Sequence, residues 1–188
     1  MNALQSETMT SLRKSRPFPD LQQLRELPVQ LDTVIPPEWE DRNGHVNVQF
    51  YLTLFELGGW RILDESGFDE AWLRRNRYSF FDLEHHLNYL AEIRVGDRVT
   101  TYNRLVDKSA KCFHGLYLIF NETSARLACV LEYISAGVDM TTRRTAPMPL
   151  ELTAALNQLY AEHEKLSWPP PPVSYTHLRA HETTCCIS

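Results

Sequence analysis

A carboxylate and an imidazole stand close together in Asp41-Arg42-Asn43-Gly44-His45-Val46-Asn47, immediately ahead of an apolar run from Val48 to Leu63. Asn47 is a good N-cap, able to accept a bond from a first-turn N–H, and Val48, Tyr51, Leu52, Phe55, Leu57, Ile62 and Leu63 recur at roughly helical spacing. The polar loop therefore opens a helix. Free N–H groups and the positive end of the helix dipole favour negative charge at such a terminus. A polarised carbonyl placed there would have its oxyanion stabilised, with Asp41 as nucleophile or base and His45 as donor, which is the equipment of acyl transfer. The competing reading is that Asp41 and His45 only cap and pad a turn.

Several elements must position this loop. Phe50, Leu54 and Trp60 make the helix apolar nearly all round, so other structure should wrap it. Gly58-Gly59 in mid-helix cost about 1 kcal/mol each against Ala, which predicts a close approach there by a strand or a substrate chain. Leu31 to Ile35 reads as a first strand, stopped by Pro36-Pro37, that delivers its end to the loop. Beyond the helix, Asp64-Glu65-Ser66-Gly67 is a stop signal, and Phe68 to Arg77 is a connection or a short second helix. From Tyr78 the period changes to two. Phe81, Leu83, His85, Leu87, Tyr89, Ala91 and Ile93 fall on one face, and Asp82, Glu84, His86, Asn88 and Glu92 on the other. With Val99 to Val106, Lys111 to Phe120 and Ala125 to Met140, separated by short polar turns, this predicts a four-stranded antiparallel meander with the first strand on its edge. An amphipathic helix from about Pro149 to Lys165 closes the domain. The fold class is α+β, an antiparallel sheet of about five strands wrapped around one long buried helix. Two such sheets pairing edge to edge would hide their edges, making a dimer the minimum unit.

At 188 residues the chain is long enough for one domain with one core. Residues 1–30 read as a mobile arm with a short helix over Leu21 to Leu27, residues 31–166 as the domain, and 167–172 as a proline-rich end. Residues 173–188 look like a translated sequencing-adapter sequence, so their His and Cys are excluded from the site. The net charge of -5, without a basic stripe, argues against a nucleic-acid partner. With no run long enough to cross a bilayer and no signal-peptide pattern, the expected location is cytoplasmic, without a membrane partner. The four cysteines have neither disulfide-framework nor metal-ligand spacing, and no metal or cofactor is expected.

The pattern Asp41, Gly44-His45-Val46-Asn47, Tyr51 and Glu56 resembles the start of the central helix in hotdog-fold acyl-CoA thioesterases of the 4-hydroxybenzoyl-CoA thioesterase type. Asn88-Tyr89-Leu90-Ala91-Glu92-Ile93 with Gly96-Asp97, and Gly137 to Arg144, resemble two further stretches of that family in order, so the likeness covers about residues 31–150. Trp39-Glu40-Asp41-Arg42-Asn43-Gly44-His45 is similar, more narrowly, to the betainyl-CoA thioesterases of carnitine breakdown. The resemblance implies the hotdog fold, an acyl-CoA substrate, a homodimer or homotetramer, and Asp41 attacking the thioester carbonyl or activating water to do so. His45 and Asn47 would orient the carboxylate or donate to the carbonyl oxygen, with simple capping as the alternative for Asn47. Glu56 would be a base, a holder of the site or a structural partner of Arg61, the last being favoured. Asn43 and Tyr51 are placed with the substrate.

Other residues admit two readings each. His86, in the polar row of its strand, could line the cleft of this or a partner subunit, or simply be solvated. Arg143 and Arg144 could grip the phosphates of coenzyme A by forked bonds, or be a surface pair. Trp39, Tyr51, Trp60, Tyr78 and Phe80 could cage a quaternary ammonium, or only fill the core. Rival functions are a hotdog enoyl-thioester hydratase, from whose pattern the Asp-to-His spacing departs by one residue, and a non-catalytic acyl-CoA-binding hotdog protein.

Overall fold

The computed structural model describes residues 18–171 of the chain. In order they form α1 (Leu21–Leu24), β1 (Val29–Val34), a short 3-10 turn at Pro37–Trp39, α2 (Gln49–Glu65), α3 (Glu70–Asn76), β2 (Tyr78–Tyr89), β3 (Arg98–Lys108), β4 (Cys112–Asn121), β5 (Arg126–Asp139), β6 (Arg144–Thr145) and α4 (Leu150–His163). The strands make one antiparallel sheet in the order β1-β3-β4-β5-β2, with the two-residue β6 on the end of β5.

The sheet lies against α2. Tyr51, Leu54, Phe55 and Gly58 are the buried positions of that helix, and Gly58 and Gly59 are where it comes closest. A Cβ on Gly58 would stand 2.7 Å from Thr101 Oγ1 of β3, and one on Gly59 only 2.1 Å from the Tyr117 hydroxyl of β4. The helix breaker is retained because a strand passes there, as expected. Full wrapping, however, is not achieved within one chain. Leu52 and Trp60 are exposed on the side of α2 toward β2, which the sheet leaves open, and Val48 and Leu57 are exposed as well.

The expected four-strand meander is corrected. β3, β4 and β5 are consecutive neighbours, but β2 pairs along its length with β5 rather than with β3. The segment after Tyr89 leaves the sheet, and Ile35 N–H bonding to Asp97 O (2.9 Å) leads straight into the β1–β3 edge. Among the described residues, the twelve-residue β2 is therefore the outer strand at this edge of the sheet.

The mobile-arm reading is also corrected for residues 18–30. Asp20 and Gln23 form a capping box on α1, and Leu24 and Leu27 are buried in a second core with Tyr102, Leu116, Leu118, Phe120, Val130 and Trp168. Trp168 belongs to this core rather than to a loose proline-rich end. Its ring lies 4.2 Å from the Arg104 guanidinium carbon, and its Nε1 donates to Gln23 O at 3.0 Å. Residues 1–17 and the adapter-like segment lie outside the described residues. Among the described residues no helix is long and apolar enough to cross a membrane.

Candidate active site

The loop before α2 is a closed, self-bonded turn. Glu40 bridges Val46, Asp41 N–H donates to His45 O at 2.7 Å, and Gly44 turns the chain at φ +76°. Trp39 stacks on Phe50 with ring centroids 4.7 Å apart, fastening the loop's start to the helix's first turn. Buried Val46 donates to Ile93 O at 2.9 Å, which fixes the loop's far side to the segment after β2.

Within the turn, Asp41 Oδ1 accepts from Asn43 N–H at 2.7 Å and His45 N–H at 3.1 Å, while Oδ2 has a single long contact, 3.3 Å, with Asn43 Nδ2. The bonds from the His45 and Asn43 amides hold the carboxyl below the usual aspartate range, so it is ionised at neutral pH. The His45 ring does not touch Asp41's carboxylate. Its Nε2 lies 2.8 Å from Glu92 Oε2, a carboxylate also bonded by Arg94. Asn47 Oδ1 accepts from Gln49 N–H at 3.2 Å, and its backbone oxygen accepts from Phe50 N–H at 2.9 Å. The first-turn donors expected to be free are thus partly taken by the loop. Tyr51 is buried beside Tyr89 (centroids 5.0 Å apart, edge to face), with its hydroxyl pushed up to about 12 chiefly by burial.

A second candidate region lies elsewhere along the helix, on its open side. A groove of about 510 Å³ runs between α2, the inner face of β4, β5 and β2, and α4. Phe55, Trp60, Phe80, Phe113, Tyr117 and Tyr133 line it, with Glu56 and Asp82 as its carboxylates. Glu56 is exposed and accepts from Trp60 Nε1 at 3.2 Å; its expected pairing with Arg61 is corrected, since Arg61 bonds Glu65 at 2.7 Å. Of the proposed aromatic cage, Trp60 and Phe80 reach the groove, whereas Trp39 and Tyr51 pack at the loop. Arg143, at φ +59°, lays its guanidinium 5.4 Å from the ring of Phe81 on the groove's rim, and Arg144 follows in β6.

A bulge in β2 rearranges the faces expected from strict alternation. The register slips between Asp82 and Glu84, so Leu83 joins Cys112, Ile134 and Ala136 in a separate cluster while Asp82 and His85 both line the groove. His86 pairs across from Glu132, on the face opposite Tyr133, and so is not brought to the groove of its own subunit. Asp82, His85, Ser135, Asn103 and Glu92 are polar residues near the two sites that sequence reasoning did not single out. Of these, Glu92 alone carried a signal, in the Asn88–Ile93 motif.

The Thioesterase-like superfamily matches residues 35–156, which span the loop, α2 and all of the groove's lining but Leu159. The chain belongs to this family. This thioesterase-like chain is 30% identical over 138 residues to a betainyl-CoA thioesterase of Pseudomonas aeruginosa, covering 73% of this chain and 87% of that one. It is 29% identical over 139 residues (74% of its length) to the L-carnitine dehydrogenase/betainyl-CoA thioesterase of Rhizobium meliloti, but spans only 28% of that longer protein. Among solved structures, a Staphylococcus aureus protein in complex with CoA superposes with a TM-score of 0.71 at 22% identity, covering 80% of this chain and 96% of that one. A 1,4-dihydroxy-2-naphthoyl-CoA thioesterase from Synechocystis gives 0.62 at 18% identity, covering 69% and 95%. These likenesses establish the hotdog fold, and thioester hydrolysis of acyl-CoA is the activity for which the family and the curated relatives are named.

Proposed function

We propose that this chain hydrolyses acyl-CoA thioesters with Asp41 as the reacting carboxylate, and that its substrate is betainyl-CoA or a close analogue. The observation that carries the mechanism is the asymmetry of Asp41: Oδ1 is anchored by two amides, leaving Oδ2, with its one long contact, available to react. As a base, Oδ2 takes a proton from water, the water oxygen adds to the thioester carbonyl, and the C–S bond breaks to give the free acid and the CoA thiol. As a nucleophile it adds directly and forms an anhydride that water then cleaves. In either course the thiolate leaves without a strong acid. In this reading the Val48 N–H, at the positive end of α2, would donate to the carbonyl oxygen. His45, held by Glu92, supports the loop. The identity of the acyl group is supported by the curated relatives, which are named for betainyl-CoA.

The working unit of this reading is a pair of chains joined along β2. Two antiparallel β2 edges meeting near their middles set the C-terminal end of one against the N-terminal half of the other. The Asp41 loop is fastened near the first of these ends through Ile93 and Glu92, and Phe80 and Asp82 of the groove lie on the second. One subunit's carboxylate then faces its partner's groove, and the open side of α2 is covered. Arg143, at the rim, and Arg144 beside it in β6 would hold the phosphates of CoA.

The test is thiol release from a panel of acyl-CoAs including betainyl-CoA. Asp41→Asn keeps the Oδ1 acceptor and with it the turn, so the fold should persist while the rate falls by about 10²–10⁴. An Asn variant with undiminished rate would remove Asp41 from the chemistry. Binding of every acyl-CoA with no thiol released from any would favour the non-catalytic hotdog.

A further inference from the structure

Successive side chains of a strand face opposite sides, so residues three apart should not share a face. Asp82 and His85 do, because of the bulge at Leu83. Asp82 stands across from Ser135 and His85 across from Tyr133, all toward the groove. Both carboxylate oxygens are fixed: the Ser135 hydroxyl donates to Oδ1, and His85 Nε2 lies 2.9 Å from Oδ2. Burial opposes the charge, but the bonds from His85 and Ser135 outweigh it and keep Asp82 below the usual aspartate range. Its side chain remains 41% exposed.

Around it are π faces. Tyr117 and Tyr133 stack at 5.0 Å, Phe80 and Phe113 meet edge to face at 5.2 Å, and Phe55 leans on Tyr117 at 5.6 Å. Among the described residues no lysine or arginine lines the groove, whereas Glu56 adds a second carboxylate. The carboxylates and ring faces inside the groove are complementary to positive charge, the Arg143 guanidinium standing at its rim over Phe81, and the hydrogen bonds that hold Asp82 come from the protein itself. A cation that cannot donate hydrogen bonds suits such a site better than one needing dedicated acceptors, since it requires only a nearby counter-charge and apolar, electron-rich walls.

We propose that the groove is the acyl subsite for a compact, permanently charged ammonium group, with Asp82 as its counter-charge and Phe80, Tyr117 and Tyr133 as its walls. This rests on the reading above, in which the thioester lies at the Asp41 loop and its acyl end enters a groove. Ser135 and His85 are positioning residues that aim the carboxylate. The bulge in β2 is what makes the arrangement possible.

The test compares kcat/KM for betainyl-CoA with that for tert-butylacetyl-CoA, in which carbon replaces nitrogen and the shape is kept. The unmutated chain should prefer the charged thioester by about tenfold or more. Asp82→Asn should lower the charged-to-neutral ratio by about tenfold, and Phe80→Leu, which keeps an apolar wall without a π face, should lower it by several-fold. A ratio near one in the unmutated chain, or a ratio that Asp82→Asn leaves unchanged while both rates fall together, overturns the subsite. Hydrolysis of neutral acyl-CoAs without a cation preference would overturn this inference alone. Absence of thiol release from every thioester would overturn the hydrolase reading and the subsite with it.

Discussion

His163 couples the acid stability of the fold to the contact between α4 and β3. The residue is 5% exposed, and its Nδ1 accepts from Leu105 N–H at 2.8 Å. Burial, and then the neighbouring Arg104 guanidinium, push the imidazole pKa from 6.5 down to about 4, with Glu162 pulling weakly the other way. The folded protein therefore binds this proton less tightly than the unfolded chain does. Stability from this site is complete above about pH 6.5 and is lost as pH falls toward the folded value. With these two values, lowering the pH from about 7.5 to about 5 costs about 2 kcal/mol through His163, and about 3 kcal/mol once both states are protonated. The assay is urea unfolding across that range for the unmutated chain and for His163→Asn, whose side-chain oxygen can still accept from Leu105 N–H. Carboxylates held below their ordinary range, such as Asp82 and Asp139, lose stabilisation in both proteins and cancel in the comparison. The variant should lack about 2 kcal/mol of the acid-induced loss. Coincident pH profiles would refute the reasoning.

Gly59→Ala gains about 1 kcal/mol of helix propensity but drives a methyl into Tyr117, which is hemmed in by Phe55 and Tyr133, at an overpacking cost of about 1–3 kcal/mol. Urea unfolding should show a net loss, partly relieved when Tyr117→Phe is added. Trp168→Ala should destabilise by about 3–5 kcal/mol, because it empties the second core and removes the face on which Arg104 lies; an unchanged urea midpoint would return this segment to a loose end. Arg143→Ala should raise KM for acyl-CoA several-fold while leaving KM for the matching acyl-pantetheine unaltered; equal effects on both would take Arg143 off the phosphates. Light scattering should find a mass about twice the 21.8 kDa of one chain, and a monomer that still hydrolyses thioesters would refute the shared site.

Much of the fold was legible because it is encoded locally. Asn47 ahead of an apolar run marked the start of α2 to within one residue, the cap position being held by Val48, the glycine pair marked the close crossing, and polar turns marked the strand ends to within a few residues. The errors came where distant contacts override local pattern. Polar, irregular residues 18–30 looked mobile because the wall that Leu24 and Leu27 pack on, Leu116, Leu118 and Trp168, is contributed by segments far away in the chain. β2 was assigned to β3 because neighbours in sequence usually pair, whereas twelve residues of β2 find their partner in β5. Alternation put His85 with the apolar row and Asp82 with the polar one, because a bulge leaves no trace in a period-two count.

The two candidate sites divide along the same line. Asp41 takes its hydrogen bonds from Asn43 and His45, so the amino-acid order around Gly44 was enough to identify the loop and its carboxylate. A turn closes over a few residues and needs no help from the rest of the molecule. The Asp82 cluster joins β2 to Ser135, 53 residues away in β5, and its walls come from α2, β2, β4 and β5 together. Strand pairing chose those partners, and one slipped residue in β2 turned a surface carboxylate toward the groove.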